Sequence, residues 1–221
     1  MKSLVKDALV LFAITLVAGL MLGVVYEVTK APRAKQAELT RINAFKTVFT
    51  DYFKGKEEFK DVDTKNIEFK DVDLSEIEAF KDNLKKAGYS EKKVVVNEAV
   101  VAITDDVTVG YAVTVTSKEG YGGDIKFTVG FLKNGIVTGI SYLSISETAG
   151  LGMEAKNASF IKSFVGKSGG EFVVDKDNSS GLPNEIDAIS GATITTRAIT
   201  NGVNAGLYYF QNGLEGGMAN E

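Results

Sequence analysis

The sequence predicts an α+β protein with one N-terminal transmembrane helix, then an antiparallel sheet flanked by helices. Three observations predict this class. An uncharged apolar run extends from Ala8 to Tyr26. Several segments between Val94 and Ser146 have the composition of strands, and two of them alternate apolar with small or polar residues. The segment from Thr195 to Gln211 repeats its apolar residues at helical spacing. Strands followed by helices are typical of α+β folds.

The apolar run is long enough to cross a membrane, because its residues rise about 28 Å as a helix. A cleaved signal peptide is the alternative, with Lys2 and Lys6 in its basic region. The length of the run and the absence of a convincing small-residue cleavage site favour an uncleaved anchor. We therefore expect residues 1–30 to hold a cytoplasmic tip and a transmembrane anchor. The charges around the span favour a cytoplasmic C-terminal part, but a lone anchor also inserts in the opposite orientation.

Residues 31–92 are predicted to form a stalk helix and a connecting segment. Ala31-Pro32 is expected to break or kink the helix that leaves the membrane. A new helix is predicted from Ala34 to Phe53, and its apolar residues lie three and four apart, so one face should pack on a domain. A short helix from Ser75 to Ala87 is expected to end at Gly88.

Residues 93–212 are predicted to form the main domain, and residues 213–221 a loose tail. Its predicted strands are Val100–Thr104, Val107–Val115, Ile125–Phe131 and Ile136–Ile145. Asn134-Gly135 indicates a tight hairpin between the last two strands. Helices are predicted from Ala155 to Val165 and from Thr195 to Gln211.

The composition excludes several kinds of function. The chain has no Cys and no His, which removes the usual ligand sets for iron–sulfur clusters, haem and zinc. No loop with calcium-ligand spacing occurs, so no metal site is predicted. The formal net charge is -4 and no basic patch is interleaved with aromatic residues, so no nucleic-acid partner is expected.

The segment from Asp187 to Thr196 has the composition of a phosphate-binding turn. A Ser-Gly-Ala sequence precedes three threonines and the start of a predicted helix. The free amides and the dipole of a helix N-terminus attract an anion. The alternative is an ordinary helix cap made by Ser190 or Thr193, and spacing alone favours that cap.

The pattern Asp187-x-x-Ser190-Gly191-Ala192-Thr193 resembles the flavinylation motif of FMN-binding domains. In that family FMN is joined through its phosphate to the hydroxyl of the final Thr. Three further matches follow the expected order: Gly120-Tyr121-Gly122-Gly123, Asn134-Gly135, and Glu147-Thr148-x-Gly150-Leu151-Gly152. With the single N-terminal span, they resemble the RnfG family (also called RsxG) of the Rnf electron-transport complex. The NqrC family of Na⁺-translocating NADH:quinone reductase is similar. Ala149 departs from the family, which often has Pro there.

The resemblance implies roles for the residues of the motif. FMN would be bound covalently by a phosphoester to Thr193. Asp187 would help a flavin transferase to recognise or activate the site. The residues expected to shape the turn are Ser190, Gly191 and Ala192, and those expected to bond the phosphate are Thr195 and Thr196. Flavins attached through His or Cys are excluded, because the chain has neither.

The resemblance also assigns the loop that follows the predicted sheet. Thr148 and Leu151 would lie against the isoalloxazine ring. Gly150 and Gly152 would permit the backbone to approach the flavin closely, and Glu147 would fix the loop. No side chain is placed to act as a catalytic acid or base on a substrate, so electron relay is favoured over an independent reaction.

The family resemblance implies a membrane-anchored electron carrier in an Rnf-type complex, which couples electron transfer from reduced ferredoxin to NAD⁺ to the transport of Na⁺ or H⁺. Its expected partners are the membrane, the other membrane subunits and a flavin transferase. The family places the FMN domain on the extracytoplasmic side of the cell (inner) membrane. The alternatives are an NqrC-like subunit, a stand-alone extracytoplasmic flavin reductase, and an anchored subunit without flavin.

Overall fold

The computed structural model describes residues 2–54, 56–60, 62, 66–168, 170–175 and 183–214. The chain divides into two compact units, residues 1–42 and residues 43–221. One long helix, α1 (Lys2–Phe53), contributes residues to both units. Most of the predicted tail, from residue 215 onward, lies outside the described residues.

The first unit consists of the N-terminal part of α1. By length and composition this helix is apolar enough to cross a membrane. The residues from Leu4 to Val28 are all exposed in the structure. Thr15 and Thr29 donate their hydroxyl hydrogens to the carbonyl oxygens four residues earlier, at 3.1 and 2.7 Å. These bonds satisfy the two hydroxyls within the helix, as an apolar surrounding requires.

The predicted helix break at Ala31-Pro32 is wrong, because α1 continues through Pro32. Pro32 lacks an amide hydrogen, so the helix loses one hydrogen bond there. Good helix formers, including Ala31, Ala34 and Lys35, flank the proline. Their propensity and the cooperativity of a long helix outweigh the local cost of about 3 kcal/mol.

The second unit contains an antiparallel sheet of five strands in the order β1-β2-β3-β4-β5, which confirms the predicted α+β class. The strands are β1 (Glu68–Asp71), β2 (Val94–Thr104), β3 (Val107–Ser117), β4 (Ile125–Leu132) and β5 (Val137–Ser144). The predicted Asn-Gly hairpin joins β4 to β5: Gly135 N donates to Leu132 O and Leu132 N donates to Ile136 O, both at 2.9 Å. The edge strand β1 is an addition to the predicted sheet.

The C-terminal end of α1 covers one face of the sheet. Its buried residues are Phe45, Val48, Phe49, Tyr52 and Phe53. They form a cluster with sheet residues such as Val100 and Ala112. This confirms the prediction that the stalk helix lays one face on a domain.

Helix α4 (Thr193–Gly213) covers the other face of the sheet, together with α2 (Leu74–Lys86). The Phe210 ring stacks on Phe131 of β4 with ring centroids 5.2 Å apart. Val203 and Ile199 of α4 are fully buried in the same cluster. This packing fixes the position of the first turn of α4, where the motif ends.

Shorter elements connect the sheet to α4. The predicted helix from Ala155 to Val165 is divided into a 3₁₀ turn (Gly152–Lys156) and α3 (Ala158–Lys162). Strands β6 (Val173–Asp175) and β7 (Glu185–Asp187) then pair in parallel. Strand β7 leads directly into the motif.

Candidate functional site

The motif forms a tight loop between β7 and α4. Ala192 N donates to Ile189 O at 2.9 Å, which closes the turn. Gly191 has a φ of +72°, and a Cβ atom there would lie 2.9 Å from Leu151 Cδ2. Gly191 therefore provides both the left-handed backbone and the space that brings the two loops together.

The first turn of α4 has no side-chain cap. The helix begins at Thr193, two residues earlier than predicted, and Ala192 occupies the cap position. The alternative of a cap made by Ser190 or Thr193 is therefore wrong. The Thr193 hydroxyl has no hydrogen-bond partner among the described residues, and the first amides of α4 are not bonded by a capping oxygen. This end of the helix keeps its capacity to bind an anion.

Thr193 opens onto a cleft of about 540 Å³, which we call the first cleft. It lies between the loop that follows β5 and the start of α4. The residues that line it are Tyr121, Glu147, Thr148, Leu151, Gly152, Gly191, Ala192, Thr193, Ile194 and Thr195. Eight of the twelve predicted site residues are thus brought together around one space of a size typical for cofactor sites.

Glu147 fastens two loops and the helix to one another. Its Oε2 atom accepts a hydrogen bond from Thr195 Oγ1 at 3.0 Å, and its Oε1 atom accepts one from Gly122 N at 3.2 Å. A Cβ atom at Gly152 would lie 2.7 Å from both Glu147 Oε2 and Thr195 Oγ1. Gly152 is therefore needed for the carboxylate to reach α4.

Thr196 lies outside the first cleft and braces the motif from within. Its buried hydroxyl accepts a hydrogen bond from Ile189 N at 3.0 Å and donates one to Ala192 O at 3.0 Å. Since this hydroxyl is already bonded at both ends of the turn, the predicted contact of Thr196 with a phosphate has no support in the geometry. The prediction for Thr195 differs, because its side chain does line the cleft.

The remaining predicted residues line a neighbouring space of about 510 Å³, which we call the second cleft. Asp187, Ser190 and Gly150 lie there, and not in the first cleft. The other lining residues are Glu154, Asn157, Ser159, Phe160, Ser163 and Ile189. The loop that carries the motif therefore borders two clefts.

The sequence reasoning missed two residues of the first cleft. Tyr121 is 71% exposed and Ile194 is 53% exposed, although both are large and apolar. Tyr121 lies within the glycine loop that carried the family resemblance, and Ile194 follows Thr193 directly. Exposed large apolar side chains beside a cleft were the signal that could have identified them, but exposure is not readable from the sequence alone.

A buried amide holds the strands that lead into the motif. Asn204 of α4 accepts a hydrogen bond from Phe172 N at 2.8 Å and donates one to Phe172 O at 2.9 Å. Val173, the next residue, starts β6, which pairs with β7. Lys167 Nζ also donates to Glu185 O of β7 at 2.7 Å. The start of the motif is thereby tied to the helix that follows it.

The residues of the first cleft fit a flavin phosphate better than a metal ion. An uncapped helix start and an unbonded hydroxyl suit a phosphate, while Leu151, Tyr121 and Ile194 offer apolar surface to an aromatic ring. Within the described part of the chain, no group of three or more His, Cys, Asp or Glu side chains is placed to hold a metal.

Comparison with known families identifies this region. Residues 120–208, which include both loops of the first cleft and most of α4, match the FMN-binding domain family. This segment belongs to that family. The predicted resemblance is therefore confirmed, and the family supports FMN as the cofactor of the FMN-binding domain.

Curated relatives match about half of the chain. The RnfG protein of the Na⁺-translocating ferredoxin:NAD⁺ oxidoreductase complex of Acetobacterium woodii is 37% identical over 116 residues, which are 52% of this chain and 56% of the relative. The RnfG protein of the proton-translocating ferredoxin:NAD⁺ oxidoreductase complex of Clostridium ljungdahlii is 42% identical over 96 residues, 43% of this chain and 50% of the relative. The chain spans about half the length of the curated relatives it matches.

Solved structures share the fold. The NqrC protein of the Na⁺-translocating NADH-quinone reductase of Parabacteroides distasonis superposes with a TM-score of 0.52 at 21% identity, covering 80% of this chain and 92% of the other. NqrC of Shewanella oneidensis gives a TM-score of 0.50 at 15% identity, with coverages of 77% and 91%. At these identities the likeness establishes the fold of the FMN-binding domain and nothing further.

Proposed function

We propose that this protein is a membrane-anchored flavoprotein subunit of an Rnf-type complex, and that it relays electrons through FMN attached covalently to Thr193. The observation that carries the proposal is the position of Thr193. Its unbonded hydroxyl stands at the uncapped start of α4 and faces the first cleft. Bound FMN would supply the electron-transfer chemistry, and the protein its binding and orientation.

The attachment forms one bond and breaks another. Thr193 Oγ1 would form a bond to phosphorus as the phosphoanhydride bond of a flavin adenine dinucleotide breaks. Adenosine monophosphate leaves, and the hydroxyl proton passes to a base of the flavin transferase. The amides at the start of α4 would then hold the phosphate oxygens, because the positive end of the helix dipole favours negative charge.

The surrounding residues would bind and orient the ring. Leu151 and Thr148 offer one wall of the first cleft, and Tyr121 and Ile194 add exposed apolar surface. Glu147 acts through the structure by tying Thr195 to Gly122.

The place of the protein in a complex follows from its relatives. The sequence matches of 37% and 42% are to RnfG proteins of ferredoxin:NAD⁺ oxidoreductase complexes. The NqrC proteins resemble the chain at 15% and 21% identity, which favours an Rnf-type complex over an NADH:quinone reductase. Ferredoxin, NAD⁺ and other membrane subunits are therefore the proposed partners of the assembly.

The N-terminal part of α1 would anchor the protein in the cell membrane, since it is apolar, exposed and long enough to span it. The FMN-binding domain is proposed to lie on the extracytoplasmic side, where covalent attachment would prevent loss of the cofactor. Labelling of an introduced Thr108→Cys by an impermeant thiol reagent on intact cells tests this orientation. A variant labelled only after lysis would contradict it.

The direct test of the covalent site is peptide mapping. The full chain is produced with a flavin transferase, denatured and digested, and the fluorescent peptide is sequenced by mass spectrometry. We expect one FMN per chain, on the peptide that contains Thr193. A link on Thr195, or a chain without covalent flavin, would overturn the proposal. Turnover of a substrate by the purified chain, without associated membrane subunits, would instead favour a stand-alone reductase.

A further inference from the structure

We propose that the second cleft is the docking surface for the flavin transferase, and that a basic side chain of the transferase enters it. This inference rests on the proposed attachment of FMN to Thr193. It adds the surface that the transferase reads, which includes residues of α3 and of the preceding 3₁₀ turn that lie well outside the motif.

The side chains of the motif divide into two groups by their bonding. Thr195 and Thr196 spend their hydroxyls on contacts within the protein. Asp187 and Ser190 are exposed, and their side chains make no hydrogen bond to any described residue. Side chains without a structural contact remain available to a partner, and both of them line the second cleft.

The two clefts meet at the same two loops. In the motif, Ile189 and Ser190 line the second cleft, whereas Gly191 and Ala192 line the first. The loop after β5 divides in the same way, with Gly150 in the second cleft and its neighbour Leu151 in the first. A partner held in the second cleft is therefore beside Thr193 while the first cleft stays free for the flavin.

The chemistry of the second cleft favours a basic partner group. Asp187 and Glu154 supply two carboxylates, and no basic residue is among the described residues that line the cleft. Asn157 donates its side-chain amide to Glu154 Oε2, which orients that carboxylate. Ser159 offers a free hydroxyl, and buried Phe160 forms an apolar surface within the cleft. This combination suits the long apolar stem and charged head of Lys or Arg.

The test places a positive charge in the second cleft and measures attachment. Ser159 is exposed on α3 and its hydroxyl has no partner among the described residues, so Ser159→Arg disturbs no recorded contact. The matched control is Ser168→Arg, at an exposed serine that lines neither cleft. Full-length chains are incubated with purified flavin transferase and flavin adenine dinucleotide, and the rate of covalent FMN incorporation is followed at several chain concentrations.

We expect Ser159→Arg to lower kcat/KM for incorporation at least about tenfold, mainly through KM, because like charges meet at the interface. Ser168→Arg should match the wild type. Glu154→Gln keeps an acceptor for Asn157 but removes the charge, and should raise KM about threefold and weaken its salt dependence. Once modified, all variants should share the absorption spectrum of the wild type, since the first cleft is unchanged.

Two results would overturn the inference while leaving the proposed function intact. One is a wild-type rate for both Ser159→Arg and Glu154→Gln. The other is an equal loss of rate in Ser159→Arg and Ser168→Arg, which would mean that charge acts without regard to place. A wild-type chain that accepts no FMN at all would overturn the proposed function itself, and this inference with it.

Discussion

Two faces of the first turn of α4 carry threonines of the same chemistry in opposite situations. On the cleft face, the Thr193 hydroxyl has no partner among the described residues. On the buried face, the Thr196 hydroxyl accepts a hydrogen bond from Ile189 N and donates one to Ala192 O. The comparison teaches that a hydroxyl can serve chemistry only where the fold has not used it already, and that the bonded hydroxyl holds the unbonded one in place.

Removing the hydroxyl on the cleft face should have the largest effect. Thr193→Ala is expected to abolish covalent flavin, because no acceptor oxygen remains, while the domain still folds. Thr193→Ser keeps the oxygen and should retain the flavin. In-gel fluorescence after denaturation measures the link, and circular dichroism checks the fold. Covalent flavin at the wild-type level in Thr193→Ala would show that another residue carries it.

Removing the hydroxyl on the buried face should cost stability first. Thr196→Val keeps the shape of the side chain but leaves Ile189 N without its acceptor, at a cost of about 1–3 kcal/mol in the free energy of unfolding. FMN incorporation should also slow, because the turn before Thr193 loses its brace. The control is Thr200→Val, which removes only a bond to the carbonyl of Thr196. Urea unfolding measures both, and equal losses would contradict the special role of Thr196.

The contact between Glu147 and α4 should have a smaller effect, since Glu147 is only partly buried. Thr195→Val and Glu147→Ala each remove the same hydrogen bond. Their effects on the free energy of unfolding should therefore fall short of additivity by about 1 kcal/mol in a double-mutant cycle. Additive effects would mean that the bond contributes nothing to stability.

The smallest effect at neutral pH should come from a buried hydroxyl with no bond to lose. Burial, and to a smaller extent Glu76, raise the pKa of Tyr209 to about 12, and its hydroxyl has no partner among the described residues. Tyr209→Phe should thus change the free energy of unfolding by less than about 1 kcal/mol at pH 7.

The same substitution should matter in alkali. Between the unfolded pKa of about 10 and the folded pKa of about 12, the unfolded chain loses the Tyr209 proton while the folded chain keeps it, so stability falls as pH rises. Tyr209→Phe should fall less steeply from pH 9 to pH 12 in urea unfolding. Part of the fall should remain, because burial also raises the pKa of Tyr142. An unchanged slope would contradict the assignment.

Much of the fold could be predicted because its signals are local. The alternation in β3 and β4, the Asn-Gly turn and the apolar spacing in α4 each report a buried face. Strand β1 could not be found in this way, since Phe69 stands among charged residues and the strand forms only by pairing with β2. The continuity of α1 at Pro32 likewise depends on residues well beyond the proline.

The site was predictable as a set of residues but not as an arrangement. The motif and the loop from Glu147 to Gly152 gave eight of the residues of the first cleft. Sequence spacing could not reveal that Asp187 and Ser190 border a different cleft, or that Thr196 turns inward. These facts depend on the direction of each side chain, which the turn at Gly191 and the first turn of α4 decide.

Helix α4 holds the motif loop at both ends. Its first residue is the proposed acceptor, and its buried Asn204 secures the segment that enters β6 and, by pairing, β7. The loop is therefore a short bridge whose two supports belong to one rigid rod. Its sequence can serve as a tag for an enzyme, because the accuracy of the site is carried by the helix, and drift in the loop's surroundings leaves the two supports in register.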